Sequence, residues 1–259
     1  MNTHSTPTTT PAPTQPAPHH DPRPPSPWRR ATRARLAAAG VGTAATVLLA
    51  ACGGGGDSGP QGGGGGPQAA AAAQTLQVSV QALPLGSLSP GETSGLLLMR
   101  EEEKLARDVY AVLYQAWGSR VFNNIGQAEQ VHMDTVKLLL DRYALPDPAA
   151  STAAGQFGDP GLQGLYNSLV AAGSTSVIAA LKAGAEIEDV DIRDLRLLKA
   201  ATDNADMLLV YDNLERGSRN HLRAFHNNLQ SLAASYTPKY LTQSAYDAIV
   251  TTPQERGAP

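Results

Sequence analysis

The chain has 259 residues, with 20 Lys and Arg against 23 Asp and Glu, and a single cysteine. A slightly acidic protein lacks the basic patch that nucleic-acid binding requires, and one cysteine excludes both a disulfide framework and a thiolate metal cage. Residues 1–28 are dominated by Pro, Thr, Ala and His, too poor in apolar side chains to form a core. Arg29, Arg30, Arg33 and Arg35 then precede a small apolar run from Leu36 to Ala51, ending Leu49-Ala50-Ala51-Cys52. A basic region, a short apolar region and small residues before a cut describe a secretory signal. The run is shorter than the roughly 20 residues a membrane span needs.

Residues 1–51 are therefore expected to be a signal peptide with a Pro-rich leader. With Cys52 directly after the cut, the segment resembles the lipobox of bacterial lipoproteins. That resemblance implies lipidation of Cys52, a membrane partner through the N-terminal lipid, and a place in the bacterial cell envelope, facing the periplasm or on the outer membrane. Residues 52–73 are Gly- and Ala-rich and read as a tether. Removing the five Arg and one Asp of residues 1–51 leaves 15 basic and 22 acidic residues, a net charge of −7. Only His132, His221 and His226 remain of the six histidines.

Leu76, Val78 and Val80 alternate, so residues 74–89 are expected to form an extended strap. Ser89-Pro90-Gly91-Glu92 is a capping box with Pro at the first helical position, and opens a helix to about Trp117. A second helix is expected over about 124–144, ending before Pro146. Asp159-Pro160 opens a short helix closed by Gly173. Long helices follow over about 174–200 and from caps at Thr202 and Asp203 to about Ser235. The tail, 236–259, reads as an irregular strap or short helix. The fold class is all-α: an up-down four-helix bundle over 90–235, ferritin-like in having one long crossover that contains a short helix.

Each long helix carries a metal-ligand residue type on its apolar stripe. In the second helix the stripe is Ile125, Glu129, His132, Val136, Leu139 and Tyr143, and Glu129-x-x-His132 places a carboxylate and an imidazole on one face. In the first it is Met99, Glu103, Ala106, Tyr110, Leu113 and Trp117, with Glu102 bordering the core and Glu101 pointing away. In the third it is Val177, Leu181, Ala185, Glu188, Ile192 and Leu195, with Asp191 one turn from Glu188. In the fourth it is Met207, Tyr211, Leu214, Ser218, His221, Phe225 and Leu229. Burying such groups is costly unless something compensates, and Glu-x-x-His steps facing a bundle interior are the ligand units of dinuclear carboxylate proteins. The fourth helix departs from that plan, because a second Glu-x-x-His would need Glu at Ser218.

Glu103, Glu129, His132, Glu188 and His221 are thus the candidate metal ligands, with Glu215 a candidate sixth. Whether Glu102 or Glu103 enters the site, and whether Glu215 or Asp191 completes it, is left open by the spacing. Dinuclear iron is the expected cofactor, with manganese or zinc as alternatives, since ligand type alone does not choose among the three. Tyr110 or Tyr211 is expected near the metals, Gly217 permits a close approach to the fourth helix, and His226 lies off the stripe.

Several segments resemble the family called domain of unknown function 2202, classed with the rubrerythrin and ferritin superfamily. They are Glu101–Tyr110, Phe122–Ile125, Glu129–Met133, Ile187–Ile192, Thr202–Asn204 and Gly217–Phe225. The resemblance implies a helical metal-binding domain without naming a substrate. Three functions follow as expectations: an oxidoreductase acting on Fe(II), oxygen or peroxide; a lipoprotein in which iron or zinc is stored or staples the bundle; and a metal-free helical interaction module. A homodimer is left open.

Overall fold

The computed structural model describes residues 67–256 and Met1, with side chains from Gln74 onward. The signal peptide, Cys52 and most of the tether lie outside the described residues. The elements are α1 (Pro67–Ala82), α2 (Pro90–Trp117), α3 (Arg120–Arg142), α4 (Pro160–Gly173), α5 (Val177–Ala200), α6 (Ala205–Ser231) and α7 (Gln243–Val250). None of them is long and apolar enough to cross a membrane.

The helix signals act as the sequence predicts at most ends. Ser89 and Glu92 cap each other reciprocally at the start of α2, and Gly118, in the left-handed region at φ 63°, closes it. Asp159 caps α4 and Ser176 caps α5. At α6 the cap falls one residue later than Thr202 and Asp203, on Asn204. Thr202 instead accepts a hydrogen bond from the Asn204 N–H at 3.1 Å, and both side chains donate to Glu92 at the head of α2.

One expectation is overturned before α2. Residues 74–82 are helical, the second half of α1, rather than an extended strap. Leu76 and Val80 satisfy a helical step of four as well as a strand step of two, and the preceding alanines favour helix. The outcome is visible in burial: Leu76 and Val80 are core residues packed with Leu139 and Leu140, while Val78 is exposed. Only the stretch after Ala82 remains non-helical before Pro90.

α2, α3, α5 and α6 make the bundle. α2 runs antiparallel to α3, since Tyr110 lies beside Phe122 while Arg100 reaches the carbonyl of Met133. α5 and α6 are likewise antiparallel, with Asp191 against Ser218 and Arg196 against Glu215. Tyr110 meets Gly184 and Gly95 approaches Leu198, so α2 and α5 are antiparallel too. α3 and α5 therefore run the same way, and the chain between them must travel the length of the bundle. α4 and its flanking loops do this along α2 and α5.

Two apolar clusters fill the interior. One gathers Tyr110, Leu113, Phe122, Leu181 and Phe225; the other gathers Met99, Val136, Leu139, Leu195, Tyr211 and Leu214. Along every long helix the polar stripe residues fall between the members of these clusters. The bundle is thus greasy at both ends and polar at the waist.

Candidate metal centre

Glu102 and Glu103 from α2, Glu129 and His132 from α3, Glu188 and Asp191 from α5, and Ser218 and His221 from α6 meet at this waist. Glu103, Glu129 and Glu188 are at most 2% exposed. The side chains of His132 and His221 keep 10% and 12%. The centre thus touches solvent along its imidazole edge, between α3 and α6.

Glu129 is the hub. Its Oε2 lies 2.8 Å from Nδ1 of His132, and its Oε1 lies 2.9 Å from Nδ1 of His221. The two rings stack with centroids 5.4 Å apart. Glu103 Oε2 adds a contact with His132 Nδ1 at 3.3 Å, and Glu188 Oε2 sits 3.5 Å from His221 Nδ1. One ligand atom from each of Glu129, His132 and His221 lies within 4.8 Å of the others. Despite their short separation, Glu129 Oε1 and His221 Nδ1 make no aligned hydrogen bond with any described residue. A carboxylate and two imidazoles with ligand atoms this close together could share a cation.

Electrostatics point the same way. Burial opposes a charge on either ring, yet Glu129 and Glu188 outweigh it and push His221 up to about 10. Glu103 and Glu129 likewise hold His132 well above the usual histidine range. Burial also opposes ionisation of Glu129, but the two imidazoles hold its carboxyl far below the ordinary value. Glu188, buried beside that charge, rises to about 7. Buried Asp191 is driven well up, facing Glu103 and Glu188. Five carboxylates face two imidazoles here, and a buried excess of negative charge must take up protons or a cation.

The surrounding contacts fix these side chains. Tyr110 donates its hydroxyl to Glu188 Oε1 at 2.5 Å, so this tyrosine lies at the site as expected. Tyr211 does not; it belongs to the apolar cluster of Met99, Val136 and Leu214 and faces Glu92 and Tyr143. Ser218 donates to Asp191 Oδ2, and Oδ1 has no hydrogen-bond partner among the described residues. The residue that breaks the Glu-x-x-His plan on α6 therefore holds a carboxylate delivered from α5. Gly217 makes room for the imidazole: a Cβ there would sit 2.6 Å from Cε1 of His132 and closer still to Nε2.

Other expectations need correction. Glu215 is not free to serve as a sixth ligand, because Arg196 at 2.8 Å, Lys199 at 3.0 Å and Arg219 at 2.7 Å claim its oxygens. Glu101 does not point away into solvent: the crossover covers it and the Gly158 N–H donates to Oε1 at 2.5 Å. Trp117 ends the first stripe at the surface, 37% exposed, with its indole N–H on the Gly173 carbonyl. His226 is partly covered by α7, where its Nδ1 lies 2.9 Å from the Tyr246 hydroxyl. Arg219 and Asn220 attach the C-terminal segment through Glu255.

Residues 92–253 match the family model described as an uncharacterized protein domain, DUF2202. The chain belongs to this family. The uncharacterized protein MJ0754 of Methanocaldococcus jannaschii is 47% identical over 178 residues, which is 69% of this chain and 96% of that protein. The crystal structure titled as hypothetical protein MJ0754 superposes with a TM-score of 0.66, covering 67% of this chain and 99% of the other. The carboxylates and imidazoles at the waist all fall inside the DUF2202 match, whereas Cys52 lies before it.

Proposed function

We propose that the protein is an envelope-anchored, metal-dependent oxidoreductase of the di-iron type, acting on Fe(II), oxygen or peroxide. The convergence of Glu129, His132 and His221, with unpartnered donor atoms turned toward each other at the waist, carries this reading. Glu103 and Glu188 flank the trio from α2 and α5, so carboxylates and imidazoles converge from four helices as in the ferritin-like plan, with Ser218 where that plan would place the second Glu-x-x-His carboxylate. Iron held there would supply one-electron chemistry toward oxygen or peroxide. The chain's own residues do the rest. Tyr110 orients Glu188, Gly217 lets His132 into place, and the two apolar clusters keep bulk water out. Lipidation at Cys52 would hold the domain at the membrane.

The test is metal content and turnover of protein purified without chelator, beside a Glu129→Ala/His132→Ala variant. Near-stoichiometric iron that is lost in the variant, with Fe(II) oxidation or peroxide consumption, is the expected result. Full occupancy by inert zinc would replace the enzyme with a metal staple. No metal after anaerobic Fe(II) loading would leave a helical interaction module and end the proposal.

A further inference from the structure

The segment after α6 turns back along α5, and its polar contacts fall on one face of that helix. Asp189 is wholly buried there. Its Oδ2 accepts the Tyr236 hydroxyl at 2.8 Å and the N–H groups of Lys239 and Tyr240 at 2.6 and 3.0 Å. Its Oδ1 accepts the Leu241 N–H at 2.8 Å. Three successive backbone N–H groups turned onto one carboxylate make an anion-binding nest. One turn earlier on α5, Glu186 pairs with the Lys239 ammonium. One turn later, the Arg193 guanidinium lies 4.9 Å from the centre of the Tyr240 ring. Residues 236–241 are thus fastened to α5 at Glu186, Asp189 and Arg193, positions three and four apart that share a face.

Glu188 and Asp191 stand between these anchors in sequence and, at about 3.6 residues per turn, on the opposite face, the one turned to the waist. Apolar contacts such as those of Ala185, Ile192 and Leu195 have no preferred direction and leave α5 some freedom to rotate about its axis. Hydrogen bonds are directional and remove that freedom. We propose that residues 236–241 are a clasp that fixes the rotation of α5 and so positions Glu188 and Asp191 at the waist, with Asp189 as the positioning residue. A ligand set works only when its side chains are held within about 0.5 Å of their working geometry. The clasp supplies that hold from outside the centre, through the chain that continues α6, the helix of His221. The Ser218–Asp191 contact ties the same two helices from inside. The effect on metal ligands rests on the metal-centre reading above; the hold on α5 does not.

Cobalt(II), whose visible bands report the geometry of its ligands, is the probe. Asp189→Asn is expected to keep the helical circular dichroism, weaken cobalt(II) about tenfold and shift its bands. Tyr236→Phe removes one donor of the four and should move both readouts the same way by less. Tyr143→Phe loses a donation to Asp206 at the start of α6, away from the clasp, and should leave both unchanged. In metal-free protein, hydrogen exchange at the amides of residues 188–192 should quicken in the two clasp variants and keep its native rate in Tyr143→Phe. Native affinity and bands in both clasp variants, or exchange at 188–192 that does not respond, would overturn the proposal. A native chain that binds no cobalt(II) while the exchange still responds would instead refute the metal-centre reading and leave the hold on α5 standing.

Discussion

One stretch of α2 carries two polar faces that are equally buried and oppositely treated. Arg100, Glu101, Lys104 and Asp108 face the crossover; Glu102 and Glu103 face the waist. On the first face every charge is answered. Arg100 grips Asp147 through two nitrogens at 3.0 and 2.9 Å, and Lys104 meets Asp108 at 2.7 Å together with the carbonyls of Ala153 and Gln156. The Lys104 ammonium also lies 4.4 Å from the Phe157 ring centre. On the second face, three carboxylate oxygens find no donor among the described residues. A helix able to satisfy four buried charges within two turns is not short of means. The unmet oxygens of the waist mark a place built for something other than holding the bundle together.

The sharpest test of this contrast sets one face against the other. Lys104→Met is expected to destabilise the protein by about 2 kcal/mol in urea unfolding, because it removes a buried cation from Asp108, which keeps Arg107 and the Gly155 N–H, and takes the ammonium from the Gln156 carbonyl. Glu102→Leu should do the reverse, raising the stability of metal-free protein by about 2 kcal/mol, since an orphaned buried carboxyl is replaced by apolar bulk. Matching signs for the two variants would erase the distinction.

A smaller effect refines it. Gly217→Ala should gain up to about 1 kcal/mol of helix propensity yet weaken zinc or iron binding about tenfold, because the added methyl collides with His132. A variant that binds metal normally would show that the imidazole does not need its present place. The smallest expected effect lies away from both faces. Arg219 and Arg223 hold the Glu255 carboxyl down at about 2. A depressed carboxyl contributes stability above its ordinary value of 4.5 and loses it as the pH falls toward about 2. Protease sensitivity of the segment after α6 should rise over that interval, and Glu255→Gln should show the same sensitivity at neutral pH.

Helical spacing alone exposes Glu103, Glu129, His132, Glu188 and His221, because each interrupts an apolar stripe whose period the chain cannot hide. It cannot expose what depends on the crossover. Glu101 and Lys104 look solvated on a helical wheel and become buried only when residues 147–158 are laid over them. The fate of Glu215 was half legible: Arg219 stands one turn away on the same helix, but Arg196 and Lys199 arrive from α5. The role of Ser218 was invisible for the same reason, since its partner Asp191 is on another helix. Leu76 and Val80 fit two periods at once, and only their packing decides for the helix.

The pairing of α2 with α3 and of α5 with α6 has a kinetic consequence. Each hairpin is built from contacts that are local in sequence and can assemble early. Each carries only half of the waist. Joining them requires the long crossover to close, and in that same step carboxylates from both halves are first pressed together. A divalent cation in the refolding buffer should then accelerate the joining itself, so the centre would leave its mark on how fast the bundle forms.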